Sequence, residues 1–442
     1  MTPAEALCIL GSLADGIDPV TGDMLPETSE ARAPADRAGL ALRALPEKRS
    51  REASRDNQPK RMSLFWAPNH TRIELRVRKF SGAKRMKEKI RYAVVGLGHI
   101  AQTAVLPAFQ HAENSELVAL VTGSPDKVKQ LSKRYGVKAY AYKDMETAIE
   151  RENVDAVYVA TPNSLHREHT ERAARAGSHV LCEKPMAASE RDCEAMIEVI
   201  KQNKVKLMIA YRLHFHDANL HAVEISRSGK LGEVRCFDSL FGLQVHGENI
   251  RLQKNLGGGT LFDIGIYCIN AARYLFRDEP TEVVGLTANN GEKRFSEVEE
   301  MTGAILRFPQ ERLAIFTCSF GSAGIGYYSL VGTKGNLRLE NAYEYRGDSK
   351  CIVTIKGRQT EKVFKAGDQF ASELIYFSDC IMNDRAPEPS GREGLADVRV
   401  IKAIYESARI GRSVQIEPVR KQTRPEPEME IKRPPVENAA PV

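Results

Sequence analysis

A glycine-rich turn at residues 90–101 has the residue types that bind a dinucleotide. The apolar run 90–95 has the character of a β-strand and ends in Gly-x-Gly-x-x-Ala, after which apolar residues recur at helical spacing. In such a turn Gly96 permits the reversal, Gly98 lets the backbone approach a pyrophosphate, and Ala101 keeps the helix close to the strand. The first turn of that helix would offer unpaired N–H groups to the phosphates. A turn that only reverses the chain is the open alternative.

The end of the second predicted strand indicates which dinucleotide binds. This strand ends in Thr122, and Ser124 and Lys127 follow it closely. A carboxylate at this place would hold the ribose hydroxyls of NAD and repel a 2′-phosphate, whereas hydroxyl and ammonium groups bind one. The sequence therefore favours NADP over NAD. Asp126 is the argument for NAD, although it also suits the first turn of a helix.

Two later strand ends carry polar residues that could face a ligand. One predicted strand ends in Thr161-Pro162-Asn163, and another in Glu183-Lys184-Pro185. Parallel strands bind ligands at their carboxyl ends, so we expect these residues near the nicotinamide. Asn163 could also cap a helix. His166 and His169 have the spacing of metal ligands on a helix, but no third ligand accompanies them, and no metal site is predicted.

A second glycine run precedes a helix that carries a carboxylate and a phenol. Gly257-Gly258-Gly259 lead to Thr260, a predicted helix cap, and Asp263 and Tyr267 then lie four residues apart on one helical face. Each residue also has a structural interpretation. Asp263 could close a capping box with Thr260, Tyr267 could pack in the core, and Arg273 could lie at the surface.

In their order and spacing, these motifs resemble the glucose–fructose oxidoreductase and inositol dehydrogenase family, and most of all its glucose–fructose oxidoreductase branch. The resemblance covers roughly residues 90–416. It rests on Gly96-Leu97-Gly98-His99-Ile100-Ala101, Thr161-Pro162-Asn163-Ser164-Leu165-His166, Glu183-Lys184-Pro185-Met186, Tyr211-Arg212, and the segment from Gly257 through Asp263 and Tyr267 to Leu275.

The resemblance implies active-site roles for Lys184, Asp263 and Tyr267 and an assembly of two or four copies through the open faces of the second-domain sheets. Many family members carry histidine in place of Tyr267, so inositol-type polyol chemistry is less expected. We expect the cofactor to contact the following residues: Gly96, Gly98, His99, Ile100, Ala101, Thr122, Ser124, Lys127, Thr161, Pro162, Asn163, His166, Glu183, Lys184 and Arg212.

Hydride removal from a carbinol carbon requires that the hydroxyl proton also leave. A tyrosine is a weak base at neutral pH, but a nearby ammonium group stabilises its phenolate. We therefore expect Tyr267 to be the acid and base, Lys184 to tune it and orient a sugar hydroxyl, and Asp263 to fix the substrate or the lysine. The expected reaction is NADP-dependent oxidation of an aldose to its lactone, with ketose reduction by the same NADP left open. A cofactor-sensing regulator of the same fold and a polyol dehydrogenase are the alternatives.

The elements around these motifs predict an α/β protein. Strands and helices alternate from residue 90 to about 210, which is typical of a doubly wound parallel sheet, the Rossmann fold. Strand-like stretches separated by turns follow, and they predict an α+β domain with a mainly antiparallel open sheet. The predicted parts are a basic, disordered extension at 1–89, the NADP-binding domain at 90–212, the substrate and oligomerisation domain at 213–416, and a disordered tail at 417–442.

Composition excludes several classes of protein. The 442 residues are 42% apolar and 28% charged, no apolar run reaches the roughly 18 residues of a membrane span, and no signal peptide is evident. The eight cysteines lack any Cys-x-x-Cys pair, and we expect a cytoplasmic protein with reduced thiols. Residues 1–89 carry 17 basic and 12 acidic side chains and so hold most of the net charge of +6. A nucleic-acid partner is therefore not expected.

Overall fold

The computed structural model describes residues 89–421, 423–436 and 441–442. Two sheets organise this part of the chain, one of six strands and one of nine. The predicted disordered extension at 1–89 lies outside the described residues except for Lys89.

The first sheet is entirely parallel and has the strand order β3-β2-β1-β4-β5-β6. This is the order of a Rossmann fold. The central strand β4 and the edge strand β6 are both buried along their whole length, because helices cover both faces of the sheet. The strands are β1 (Ile90–Val95), β2 (Ser115–Val121), β3 (Lys138–Tyr140), β4 (Ala156–Val159), β5 (His179–Glu183) and β6 (Leu207–Ala210).

One of the helices between these strands begins and ends at the types of residue expected of helix caps. The hydroxyl of Ser124 accepts from the N–H of Lys127 at the start of this helix, and Gly136, at φ +67°, ends it. A π-helical segment, Ala101–Val105, precedes the first helix. The helices are α1 (Leu106–Ala108), α2 (Pro125–Tyr135), α3 (Met145–Arg151), α4 (His166–Arg175) and α5 (Glu190–Asn203).

The second sheet has the order β14-β13-β12-β11-β7-β10-β9-β8-β15, and within it only β7 and β10 pair in parallel. The predicted fold class is therefore confirmed. The strands are β7 (Val234–Gln244), β8 (Glu282–Ala288), β9 (Met301–Phe308), β10 (Arg312–Ser319), β11 (Gly321–Gly332), β12 (Gly335–Glu340), β13 (Ser349–Ile355), β14 (Arg358–Phe364) and β15 (Val414–Gln415).

Helices cover one face of this sheet and carry the apolar residues of the core. They are α6 (Asp217–Arg227), α7 (Ile266–Phe276), which continues a π-helical segment at Leu261–Gly265, and α9 (Gly391–Ile410). Helix α8 (Gln369–Met382) packs instead on the parallel sheet, where Phe370 and Leu374 join the core around β1. Helix α7 is buried at ten of its eleven residues. Among the described residues, no helix combines the length and the apolar character that crossing a bilayer demands.

The chain after residue 416 differs from the predicted disordered tail. Its described residues pack against both parts of the structure, and Val419 is buried. Its charged side chains pair with opposite charges in the rest of the described chain. The segment's high content of Pro, Glu, Lys and Arg does not by itself predict this pairing. The contacts are Lys421 with Glu393, Arg424 with Glu279, Glu426 with Arg277, Ile431 with Ser372, and Arg433 with Glu113.

Candidate active site

A cavity of about 580 Å³ opens where the carboxyl ends of the parallel strands meet the second sheet. Of the predicted site residues, Ala101 and Ser124 do not line it. Ala101 is fully buried behind the glycine turn, and Ser124 caps α2. The structure brings the other predicted residues together around this cavity: Gly96, Gly98, His99, Ile100, Thr122, Lys127, Thr161, Pro162, Asn163, His166, Glu183, Lys184, Arg212, Asp263 and Tyr267.

The glycine turn leaves room for a ligand on one side and none on the other. Gly96 has φ +92°, and a Cβ there would lie 2.5 Å from the carbonyl oxygen of Ala160. A Cβ on Gly98 would meet no atom within 4 Å. The turn is therefore pressed against the strand behind it and open in front, as a phosphate-binding turn must be.

The Thr122 end of the cavity is built from short hydrogen-bonded links. The Thr122 hydroxyl accepts from the N–H of Ser124 over 3.3 Å, and Lys127 Nζ donates to the carbonyl of Leu97 over 3.0 Å. Lys127 thus joins α2 to the glycine turn. Thr122 directly follows β2, at the position where NAD-binding proteins carry a carboxylate.

Two side chains on the Rossmann edge, His166 and Asn163, connect neighbouring loops through hydrogen bonds. The ring of His166 places Nδ1 at 2.8 Å from the carbonyl of Pro185 and Nε2 at 2.9 Å from that of Thr161. Burial lowers the pKa of His166 to about 4, so the ring is neutral near pH 7. Asn163 Nδ2 donates to the carbonyl of Gly257 over 2.8 Å, which is a bond to the second sheet's side of the cavity rather than a helix cap.

Lys184 and Asp263 meet across the cavity. Lys184 Nζ donates to the Asp263 carbonyl over 2.9 Å and lies 3.5 Å from Oδ1 of the same residue. The other carboxylate oxygen, Oδ2, accepts from Nε of Arg251 over 2.6 Å. Asp263 is therefore held between two cations that come from different parts of the chain.

Tyr267 lies beside the same ammonium group and beside a guanidinium. Lys184 Nζ is 4.7 Å from the centre of the Tyr267 ring, and Arg212 donates to the Tyr267 hydroxyl over 3.2 Å. Arg212 is itself fixed by bonds to Gln369 and to the carbonyl of Tyr343. Phe241 packs edge-on against Tyr267 at 5.7 Å, so the phenol is held from several sides.

The fields of these groups determine which of them carry charge. Burial lowers the pKa of Lys184, but the fields of Tyr267, Asp263 and Glu183 outweigh it and hold this pKa above its ordinary value. Burial raises the pKa of Asp263, but Arg251 and Lys184 outweigh it and hold this pKa below its ordinary value. Near neutral pH the site therefore presents an ammonium group and a carboxylate.

The predicted cap at Thr260 is wrong. Thr260 has helical backbone angles and its hydroxyl donates to Glu299, which leaves no capping box for Asp263 to close. Asp263 instead turns to Lys184 and Arg251. Arg273 is fully buried, not at the surface, because Glu279 and two carboxylates of α9 surround it.

Several residues of the cavity were not expected from the sequence. Except for Tyr142, which closely follows β3, and Phe370, which lies on α8, they come from the second sheet's side. Only Arg251 gives a hint, since it stands just before the Gly257 run. The residues are Tyr142, Phe241, Leu243, Arg251, Glu344, Tyr345 and Phe370.

His166 and His169 do not converge with other metal-binding side chains. Within the described ranges, no group of three or more His, Cys, Asp and Glu residues has the arrangement of a metal site. The His166 ring nitrogens face backbone carbonyls instead.

Sequence comparison identifies the family of this chain. A model described as "Oxidoreductase family, NAD-binding Rossmann fold" matches residues 90–211, and one described as "GFO/IDH/MocA C-terminal domain" matches residues 220–338. The D-xylose 1-dehydrogenase [NADP(+)] of Haloarcula marismortui is 31% identical over 337 residues, which are 74% of this chain and 93% of the relative.

Two solved structures extend the comparison. The aldose-aldose oxidoreductase from Caulobacter crescentus, complexed with glycerol, is 41% identical, and the match covers 74% of this chain and all of that one with a TM-score of 0.72. A 3-ketoreductase from Actinomadura kijaniata, in complex with NADP and TDP-benzene, is 27% identical over 72% of this chain and 98% of that one, with a TM-score of 0.67. The chain therefore belongs to the Gfo/Idh/MocA family of oxidoreductases, as its motifs predicted.

Proposed function

We propose that the protein is an NADP-dependent sugar oxidoreductase that oxidises the anomeric CH–OH group of an aldose to the lactone and can return the hydride to a second sugar. The observation that carries this proposal is the convergence of Lys184, Asp263 and Tyr267 in the cavity that the glycine turn also lines. The relatives support the proposal, since they include an NADP-dependent xylose dehydrogenase and an aldose-aldose oxidoreductase.

The residues of the cavity fit NADP. The space in front of Gly98 is open, and Thr161 Oγ1 is a buried oxygen that has no hydrogen-bond partner among the described residues. Thr122 and Lys127 offer a hydroxyl and an ammonium group to a 2′-phosphate, and Asp126, which stands between them in the sequence, does not line the cavity. When bound, NADP supplies the hydride acceptor and donor.

Tyr267 is the residue placed to move the proton. Its oxygen accepts a hydrogen bond from Arg212, so the phenol's own hydrogen is available to a sugar oxygen in the cavity. When the phenol gives up that proton, the charges of Arg212 and Lys184 stabilise the oxygen. The same pair of cations serves both directions of the reaction.

Lys184 acts as a hydrogen-bond donor and not as the base. Its pKa is held above the ordinary value by Tyr267, Asp263 and Glu183 against the opposing effect of burial, so it stays protonated near neutral pH. The bond to the Asp263 carbonyl fixes one of its three hydrogens and leaves others for a substrate hydroxyl. Asp263 positions Lys184 and can accept from a sugar hydroxyl.

The two alternatives predict different sites. A cofactor-sensing regulator needs the nucleotide cavity but no phenol, ammonium and carboxylate held together, and this chain has all three. An inositol-type dehydrogenase would use histidine where Tyr267 stands. We therefore favour an aldose over a polyol as the substrate.

The test monitors absorbance at 340 nm while the purified protein, with NADP added, receives a panel of aldoses, ketoses and inositols. We expect NADPH formation with at least one aldose and none with inositol. Without added cofactor, a two-sugar cycle would give one alditol for each aldonate, measured by mass spectrometry of the products. NADP binding without turnover of any sugar would support the regulator instead.

We further infer a homodimer or homotetramer formed through the open face of the second sheet. Ile305 pairs with Val284 on one side and Ile315 on the other, and all three are exposed on that face together with Leu286 and Leu313. A continuous apolar patch of this kind is typical of a subunit interface. Light scattering after gel filtration measures the assembly.

A cytoplasmic location is consistent with the seven free cysteines of the described chain.

A further inference from the structure

The loop at residues 249–259, here called the clasp loop, reaches from the second sheet to the Rossmann edge of the cavity. Asn163 Nδ2 donates to the carbonyl of Gly257 over 2.8 Å, and Gly257 has φ +80°. A Cβ on Gly257 would lie 2.8 Å from the Cβ of Asn163. The clasp loop therefore rests directly on the segment that follows β4, and one wall of the cavity is a contact between the two halves of the fold.

Arg251, on this loop, differs from the other cations of the cavity. The cavity is lined by Lys127, Lys184, Arg212 and Arg251. The terminal nitrogen of Lys127 donates to Leu97, and that of Lys184 donates to Asp263. The terminal nitrogens of Arg212 donate to Gln369, Tyr267 and Tyr343. Arg251 donates to Asp263 through Nε only, and neither of its terminal nitrogens has a hydrogen-bond partner in the described chain. These two nitrogens can form a two-pronged contact with an anion.

The position of Arg251 relative to the glycine turn indicates which anion this is. Arg251 lines the same cavity as Gly96, Gly98 and His99 of the turn, and its positive charge adds to the effect of burial in lowering the pKa of His99. The turn itself is open at Gly98, where a cofactor's phosphates would lie. The Arg251 side chain is 41% exposed and so has room to reach them.

We propose that Arg251 binds the diphosphate of NADP from the side of the second sheet, so that the glycine turn and the clasp loop hold the cofactor between them. This rests on the proposed NADP cofactor but not on the choice of sugar. Arginine suits the task because its fork matches a phosphate's oxygens and keeps its charge. Since the same guanidinium bonds Asp263, a bound cofactor would also fix the carboxylate that positions Lys184. Such a clasp would slow the release of NADP between two sugars.

The experiment measures cofactor binding without any sugar. Cofactor-free wild type, R251Q, R251K and K254Q are titrated with NADP and, separately, with NAD by calorimetry. We expect R251Q to weaken both cofactors by the same factor, about 10–100-fold, because a charge-assisted phosphate contact is lost. R251K keeps the charge but loses the fork, so we expect an intermediate loss. K254Q is the matched control, because Lys254 is exposed on the same loop but does not line the cavity.

Three results would overturn the proposal. R251Q could bind NADP as tightly as K254Q does. R251Q could weaken NADP but not NAD, which would place the contact at the 2′-phosphate. Cofactor affinity could stay the same while the KM for a sugar rises, which would make Arg251 a substrate contact. If the binding losses appear in a protein that turns over no sugar, the contact between Arg251 and the diphosphate is supported and the proposed function is contradicted. Should R251Q not fold, the R251K titration decides.

Discussion

Arg212 donates to the hydroxyl of Tyr267 over 3.2 Å and joins the Rossmann edge to helix α7 at the oxygen that we assign to proton transfer. Arg212 follows β6, and Tyr267 comes from the other sheet's layer of helices. The same nitrogen of Arg212, Nη2, also donates to the carbonyl of Tyr343, and Nη1 donates to Gln369, so the guanidinium cannot turn away without losing both bonds. The acid and base is thus set in place by a residue that contributes no proton.

The first prediction is that Arg212→Lys lowers turnover. A lysine keeps the charge but cannot bond Tyr267, Gln369 and Tyr343 at once. We expect kcat to fall by about 10–100-fold, because the phenol is less well oriented. Because Arg212 is also an expected cofactor contact, NADP affinity is measured in the same variant. Steady-state kinetics and cofactor titration check this, and a kcat within twofold of wild type would show that the bond to Tyr267 is dispensable.

The second prediction concerns the preference for NADP. Lys127→Gln removes the ammonium group at the Thr122 end of the cavity, and we expect it to weaken NADP by about 10-fold while NAD is unaffected. Lys129→Gln is the matched control, since Lys129 is exposed on the same helix and lies outside the cavity. Equal losses for NADP and NAD would instead assign Lys127 a role in holding the glycine turn through Leu97.

The third prediction is a pH dependence of stability at His166. Its pKa is about 4 in the folded protein because of burial and about 6.5 when unfolded, so the unfolded chain takes up the proton first as the pH falls. The contribution of His166 to the free energy of unfolding should therefore be fully present above pH 6.5. It should fall by about 1.4 kcal/mol per pH unit between pH 6.5 and pH 4. His166→Gln should remove that part of the slope in urea unfolding. An unchanged slope would contradict it.

The fourth prediction tests the buried charges behind α7. Arg273 bonds Glu279 over 2.6 Å, Glu393 over 2.8 Å and Asp397 over 2.6 Å, and none of this cluster is exposed. Arg273→Met would leave Asp397 buried without a cation and would remove one of the two cations from Glu279 and from Glu393. We expect a loss of about 3–5 kcal/mol in the free energy of unfolding. Denaturant unfolding of this variant beside Arg409→Met, a surface residue of α9, measures it. A loss equal to that of the control would contradict the prediction.

The parallel sheet and most of the Rossmann edge of the site were predictable from the sequence. Strand β1 and the glycine turn, and the polar residues after β4 and β5, lie together because parallel strands end on one edge, so local patterns suffice. Strand β14 does not follow from such patterns, because it is an edge strand whose first five residues are charged or polar and whose only buried residue is Phe364.

The other wall of the site was not predictable in the same way. Arg251 and Tyr345 reach the cavity through strand pairings and loops that are distant in the sequence. The burial of Arg273 depends on carboxylates more than a hundred residues further along the chain. The packing of the described residues after 416 depends on ion pairs of the same kind. Local periodicity does not show such contacts, because each partner alone looks like a surface residue.

The most direct test of the proposed chemistry is a single turnover of the NADP-loaded protein mixed with its best aldose, followed at 340 nm in wild type and Tyr267→Phe. The substitution removes the hydroxyl and keeps the ring that packs on Phe241. We predict that the rate of NADPH formation falls by about 10²–10⁴-fold with cofactor affinity nearly unchanged. A rate near that of wild type would contradict the assignment of proton transfer to Tyr267.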